Sequence, residues 1–115
     1  MKTIVAGGRD FIPTSHHYKW LIEQFFEIGT TEVFNGLAQG ADTFGASVAN
    51  QIGIPVREFP ADWKKHGRAA GPIRNQLMAD EAEACILFPG GKGTQDMKKR
   101  ALKNHLICIE YGSHP

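Results

Sequence analysis

Short apolar runs alternate along the chain with longer amphipathic or small-residue segments. The apolar runs predict β-strands over residues 2–6, 32–35, 55–59, 84–88 and 106–110. The segments between them carry apolar residues at helical spacing, or small residues, and predict helices over about 14–28, 42–52, 72–83 and 94–104. A longer connection at 60–71 separates the third strand from the third helix. This alternation predicts an α/β fold in which helices cover both faces of a mainly parallel sheet.

Glycine-rich turns follow the first, second and fourth predicted strands, at residues 7–9, 36–42 and 89–93. We expect a Rossmann-like three-layer sandwich with the strand order 3-2-1-4-5. In that order all three turns open at the carboxyl edge of the sheet, where the chain direction across the sheet reverses. Folds of this kind bind ligands at that point.

Composition narrows the class of protein. With 115 residues, of which 42% are hydrophobic and 22% charged, we expect a single folded domain over 1–115. The net charge of +1 gives no general attraction to nucleic acid. Cys85 and Cys108 fall in predicted buried strands, so we interpret both as reduced, apolar thiols. We expect a cytoplasmic protein with no metal, cofactor or membrane contact, because the chain has no zinc-ligand spacing, leader segment or long apolar run.

The turn after the fourth strand is a candidate phosphate site. Pro89, Gly90, Gly91 and Gly93 leave backbone amides bare of side chains, and Thr94 adds a hydroxyl at the start of the next helix. Amides at a helix N-terminus favour an anion such as phosphate. The alternative is a tight strand-to-helix turn in which Thr94 caps the helix.

Two common nucleotide-binding motifs are excluded. A Walker A loop requires Ser or Thr directly after its lysine, but Lys92 is followed by Gly93. The dinucleotide fingerprint G-x-G-x-x-G does not follow the first strand, where the chain reads Gly7-Gly8-Arg9. The chain therefore fits neither a P-loop NTPase nor an ordinary NAD-dependent dehydrogenase.

Further candidate ligand contacts lie on the other loops of the same edge. They are Gly7, Gly8, Arg9, Gly36, Ala38, Gly40, Asp42, Trp63, Arg74 and Asn75.

Several of these side chains, and one further carboxylate, have a second interpretation. Arg9 either binds phosphate or is a solvated charge, and Arg74 is either a ligand-binding or catalytic cation or part of a structural ion pair. Asp42 either caps its helix or contacts a ribose hydroxyl, and Asp96 is either catalytic or simply favourable at a helix N-terminus. Trp63 either stacks on a base or anchors its loop to the third helix.

Five segments together resemble the SLOG superfamily, and within it the YspA-related branch. The segments are Val5–Arg9, Asn35–Asp42, Phe59–Trp63, Ala70–Asn75 and Phe88–Thr94. The resemblance implies a Rossmann-like fold that binds nucleotides or nucleotide-derived ligands at these loops. Its relatives include the LOG phosphoribohydrolases, which cut the glycosidic bond of nucleoside monophosphates, and the DprA/Smf DNA-binding proteins.

One position departs from the LOG pattern. Those enzymes read P-G-G-x-G-T-x-x-E, and the glutamate assists chemistry at the ribose, but the corresponding residue here is Met97. A thioether cannot act as a base. Asp96 is one residue earlier, about 100° around the helix, so it can replace the glutamate only in a rotated arrangement.

Three functions follow from this reading. The first is a protein that senses, carries or sequesters a nucleotide-derived small molecule. The second is a hydrolase of the nucleotide N-glycosidic bond that uses Arg74 and Asp96. The third, a DprA-like nucleic-acid binder, is disfavoured by the near-neutral charge. The resemblance also implies a homo-oligomer, with Phe11, Trp20 and Phe44 as interface candidates.

Overall fold

The computed structural model describes residues 1–38 and 40–112. Its strands are β1 (Lys2–Ala6), β2 (Glu32–Asn35), β3 (Val56–Glu58), β4 (Ala84–Leu87) and β5 (Ile107–Glu110). Its helices are α1 (Ser15–Glu27), α2 (Ala41–Gln51), α3 (Trp63–His66), α4 (Ala70–Glu81) and α5 (Lys92–Lys103), and a 3₁₀ turn, Gly67–Ala69, joins α3 to α4. None of the helices in the described part of the chain is long and apolar enough to cross a membrane.

The five strands form one parallel sheet in the order β3-β2-β1-β4-β5. In the central strand, Ile4 pairs with Phe34 of β2 on one side and with Cys85 of β4 on the other. The predicted α/β class and strand order are therefore confirmed. The carboxyl ends of β1 and β4 lie side by side at the point where the chain reverses its direction across the sheet.

Alternate residues of β1 feed two separate cores. Ile4 packs into a cluster beneath α4 and α5 that includes Met78 and Met97, while Val5 packs into a cluster beneath α1 and α2 that includes Phe25. This alternation follows from the two-residue period of a strand that is buried on both faces. The result is the expected three-layer arrangement of helices, sheet and helices.

Helix α2 lies directly against the sheet because its contact face consists of small residues. A Cβ atom added at Gly45 would lie 2.7 Å from Cβ of Val5, too close for any side chain. Ala49 is fully buried on the same helix. The small-residue character of this segment is thus explained by close packing on β1.

Neither Asp42 nor Thr94 occupies the N-cap position that one interpretation gave each of them. Helix α2 begins at Ala41 with Gly40 as its N-cap, so Asp42 lies inside the first turn. Helix α5 begins at Lys92 with Gly91 as its N-cap, so Thr94 also lies inside a first turn. In both cases the glycine before the helix takes the cap position.

The connection at 60–71 is more ordered than the sequence indicates. It contains α3, whose N-cap Asp62 accepts a hydrogen bond of 3.1 Å from the Lys65 amide, and then the 3₁₀ turn. Helix α4 accordingly begins at Ala70 rather than at Pro72.

Aromatic side chains surround Phe88, the residue that follows β4. The ring centroids of Phe11, Trp20 and Phe44 lie 4.9, 5.4 and 5.8 Å from that of Phe88, and all three side chains are partly buried. These rings therefore stabilise the loop after β1 and the base of the loop after β4.

The two thiols are neighbours in the sheet. Cys85 of β4 is fully buried, as predicted, and is in register with Cys108 of the edge strand β5, which is only partly buried. The edge position explains the difference.

Candidate functional site

The loops that follow β1, β2 and β4 surround one cleft at the carboxyl edge of the sheet. Its volume is about 1550 Å³, and the start of α4 forms its remaining wall. Nearly all the predicted site residues line it, namely Gly7, Gly8, Arg9, Gly36, Ala38, Asp42, Trp63, Arg74, Asn75, Pro89, Gly90, Gly91, Gly93, Thr94 and Asp96. The three loops that are far apart in sequence thus share one space.

Gly40 is the exception among the predicted residues that the structure describes. It has φ +77°, and a Cβ atom there would clash with the Gly8 carbonyl and lie 2.8 Å from the Arg9 carbonyl. The neighbouring Ala41 amide donates a hydrogen bond of 3.4 Å to the Gly8 carbonyl. Gly40 therefore joins the loop after β2 to the loop after β1, and does not line the cleft.

The loop after β4 has a packed half and an open half. The Gly8 amide donates a hydrogen bond of 2.8 Å to the Pro89 carbonyl, and a Cβ atom at Gly90 would clash with Thr94 Oγ1 and lie 2.6 Å from the Gly8 nitrogen. Added Cβ atoms at Gly91 and Gly93 would meet nothing within 4 Å. The open half is the N-terminus of α5, where unpaired amides and the helix dipole favour an anion.

Arg74 connects α4 to the loop after β2. Its Nη1 donates to the Gly36 carbonyl, and its Nε donates to Asn75 Oδ1 at 2.9 Å. Burial lowers the pKa of Arg74, while the charges of Asp42 and Asp96 act in the opposite direction. The guanidinium is held at the wall of the cleft by these two hydrogen bonds.

Asp42 is a buried carboxyl group at the cleft, 7% exposed. Burial raises its pKa to about 6, although the charge of Arg74 and hydrogen bonds from the backbone of Ala38 and Gly36 favour the ionised form. The Asp42 carboxyl group thus accepts hydrogen bonds from the loop after β2 and does not cap a helix. A carboxyl group that titrates near neutral pH inside a cleft is typical of functional sites.

Asp96 accepts hydrogen bonds from two neighbouring side chains. Asn75 Nδ2 donates to its Oδ2 at 3.0 Å, and Arg100 Nε donates to the same oxygen at 2.9 Å. Burial alone would raise the pKa of Asp96, but the hydrogen bonds from Arg100 and Asn75 hold it below its usual value. Asp96 is therefore a paired, ionised carboxylate.

Met97 lies at the floor of the cleft and belongs mainly to the core. It is 1% exposed and packs in the cluster beneath α4 and α5. The position that carries a glutamate in the LOG pattern is thus apolar and nearly inaccessible to water.

Sequence reasoning missed several apolar residues of the cleft. Trp63 was predicted, but the walls also include Phe11, Ile12, Leu37, Pro60, Ala61, Pro72 and Met78, and His17 and Lys92 are among the missed polar groups. Leu37 directly follows Gly36, and Ile12 is four residues after Gly8. Position next to a glycine-rich turn was the available signal for Leu37.

Trp63 packs near α4 and also lines the cleft. It begins α3 and lies near α4, where its ring edge would be 3.5 Å from a Cβ atom placed at Gly71. It also lines the cleft and is 60% exposed.

Within residues 1–38 and 40–112, no cluster of three or more His, Cys, Asp or Glu side chains that could hold a metal is found.

A parallel sheet of order 3-2-1-4-5 with glycine-rich loops at its reversal point defines a Rossmann-like protein. Comparison with known proteins then gives the family. The sequence model of the YspA, cpYpsA-related SLOG family matches residues 1–66. The chain belongs to this family, and the loops after β1 and β2 lie inside the matched part.

A phage protein is similar over most of its length. The Gene 61 protein of Mycobacterium phage D29 is 34% identical over 91 aligned residues, which cover 72% of this chain and 73% of that protein. No solved structure matches the chain significantly.

Proposed function

We propose that this protein binds a nucleotide or nucleotide-derived small molecule in the cleft, and that it senses, carries or sequesters that molecule. The observation that carries the proposal is the convergence of three glycine-rich loops on one space at the reversal point of the sheet. Membership of a SLOG family supports it.

The phosphate of the ligand binds at the open half of the loop after β4. Gly91 and Gly93 are exposed and carry no side chain that could cover their amides, and the N-terminus of α5 supplies the positive end of its dipole. Arg9, on the facing loop after β1, lines the same cleft and can contact phosphate oxygens through two nitrogens.

The sugar lies over Asp42 and Arg74. Both groups line the cleft, and they offer an acceptor and a donor for hydroxyl groups. Because Arg74 is already bonded to Gly36 and Asn75, it is held in place before the ligand arrives.

Two residues of α5, Met97 and Asp96, favour binding without turnover. Met97 supplies no acid or base, and Asp96 is engaged by Asn75 and Arg100. A catalytic base must be free to accept a proton from water or substrate.

The test is to identify what the protein carries. Mass spectrometry of small molecules released from the purified, denatured protein should detect a nucleotide or nucleotide derivative. Calorimetric titration of that compound into ligand-free protein should then show saturable binding. If no phosphate-containing compound is recovered and a nucleotide panel produces no heat, the proposal is wrong.

One observation favours a second candidate, hydrolysis of a nucleotide N-glycosidic bond by water. Asp42 has a pKa of about 6, close to the value suited to acid–base catalysis, and Arg74 lies beside it. This candidate predicts that incubation with nucleoside monophosphates releases free base and ribose 5-phosphate, and that Asp42→Asn and Arg74→Ala abolish the release. Bound ligand recovered intact after long incubation would exclude it.

A further inference from the structure

Three exposed apolar side chains line the cleft. Of the eight large hydrophobic residues that are exposed in the described chain, these are Ile12, Leu37 and Trp63. Leu37 is 47% exposed and Trp63 is 60% exposed. Apolar surface that stays in contact with water beside a polar cradle indicates a ligand with an apolar part.

Leu37 has an unusual backbone conformation. Its φ is +64°, in the left-handed region that glycine normally occupies. The Asn35 side chain, itself 8% exposed, stabilises this conformation by accepting a hydrogen bond of 2.8 Å from the Leu37 amide. The chain thus holds a half-exposed leucine where a glycine would be less strained, which points to a use for the side chain.

Leu37 and Trp63 belong to the segments that follow the two strands on one side of β1. Leu37 follows β2, and Trp63 follows β3, which is the neighbour of β2 in the sheet. The loop after β4 begins beside the end of β1, so the midpoint of the β1 and β4 ends and the midpoint of the β2 and β3 ends are about two strand spacings apart, ~10 Å. That separation is of the order of the length of one nucleotide.

We propose that Leu37 and Trp63 bind the planar base of the ligand, with the indole ring stacked on one face and the leucine side chain against the ring. The inference rests on the proposed function, and it assigns an orientation: phosphate over β1 and β4, sugar over Asp42 and Arg74, base over β2 and β3. Stacking on an aromatic side chain tolerates different bases, so these residues select for a base and discriminate weakly among bases.

Two kinds of probe separate the base from the phosphate. The four ribonucleoside 5′-monophosphates contain a base, whereas ribose 5-phosphate does not. A Trp20→Phe background leaves Trp63 as the only tryptophan of the two in the chain, so its fluorescence reports on the cleft. We expect the nucleotides to quench this emission and ribose 5-phosphate to leave it unchanged.

Variants test the same assignment by calorimetry. Leu37→Gly removes the side chain and keeps the left-handed backbone favourable, and Trp63→Ala removes the ring. Each should weaken nucleotide binding about tenfold and leave ribose 5-phosphate binding unchanged. Phe26→Ala, an exposed apolar residue on α1 and outside the cleft lining, is the control that should change neither.

The outcomes distinguish the two proposals. The base assignment is overturned if both variants bind nucleotides with wild-type affinity. It is also overturned if their affinity for ribose 5-phosphate falls as much as their affinity for nucleotides. In either case the phosphate site stands. If wild-type protein binds none of the five probes at millimolar concentration, the base assignment and the proposed function fail together.

Discussion

Asn75 donates a hydrogen bond from Nδ2 to Asp96 Oδ2 at 3.0 Å, and this contact joins α4 to α5 at the wall of the cleft. The other end of the same amide accepts a hydrogen bond from Arg74 Nε at 2.9 Å. Asn75 thus connects the Asp96 carboxylate of α5 to the Arg74 guanidinium, which lines the cleft. Arg100 Nε also donates a hydrogen bond to Asp96, so Arg74, Asn75, Asp96 and Arg100 form one hydrogen-bonded series.

The first prediction concerns this series. Asp96→Asn should keep ligand affinity within about threefold of wild type, because an amide oxygen can still accept from Asn75 and a partly exposed ion pair contributes little. Asn75→Ala should weaken binding about tenfold, since it releases Arg74. Calorimetry with the ligand recovered from the protein measures both. Complete loss of binding or turnover in Asp96→Asn would instead assign this carboxylate a direct role.

The second prediction concerns the floor of the cleft. Met97→Glu restores the residue of the LOG pattern, but position 97 is 1% exposed, so the carboxylate would be buried among apolar groups. We expect destabilisation of roughly 3 kcal/mol or more in urea denaturation and no gain of hydrolase activity. Met97→Leu, which conserves volume, should cost less than about 1.5 kcal/mol. A stable, active Met97→Glu protein would show that this side chain can reach the ligand.

The third prediction is a pH dependence of stability from Asp42. Its pKa is about 6 in the folded protein and 3.8 for an unperturbed aspartate, so between these two pH values the folded state binds a proton that the unfolded state has lost. The contribution of Asp42 to the free energy of unfolding should therefore fall as the pH rises from 4 to 7, by at most about 3 kcal/mol.

Asp42→Asn should remove this contribution, because an amide does not titrate. The measurement is urea denaturation of both proteins at pH 4 and pH 7, and the quantity compared is the change in unfolding free energy between the two. An identical change in both proteins would mean that Asp42 is not the buried group described above.

The fourth prediction separates two adjacent glycines. Gly90→Ala places a Cβ atom against Thr94 Oγ1 and 2.6 Å from the Gly8 nitrogen, so it should destabilise the fold by roughly 1–3 kcal/mol. Gly91→Ala meets nothing within 4 Å and should change stability by less than about 0.5 kcal/mol. Thermal and urea unfolding of the pair measure the difference. Equal destabilisation would contradict the division of this loop into a packed and an open half.

The sheet could be predicted because its signals are local and repeated. Each buried strand appears as a short apolar run, and glycines mark the turns after β1, β2 and β4. The right-handed crossover rule then leaves few strand orders, and 3-2-1-4-5 is the one observed. The helix starts were less predictable, because a glycine and a polar residue can each take the cap position, as at Gly40 and Asp42.

The short helix α3 escaped prediction for a different reason. Trp63–His66 is one turn long and has no apolar period, and its stability depends on the Asp62 cap and on contacts with α4.

The site could be located but not fully interpreted. Glycine turns indicate which loops meet, whereas the states of Asp42 and Asp96 depend on groups distant in sequence. Asp42 is buried beside Arg74, and Asp96 is bonded to Asn75. Local sequence predicts neither contact, so the environments of the two carboxylates could not be distinguished before the fold was known.

The most direct test of the phosphate site is calorimetric titration of wild-type and Gly91→Val protein with the ligand recovered from the purified wild type. Position 91 has open space around it and φ −95°, so valine is compatible with the fold. We predict unchanged cooperative unfolding and no detectable binding, because the side chain fills the space above the α5 amides. Wild-type affinity in Gly91→Val would contradict the placement of the phosphate and the account of the cleft built on it.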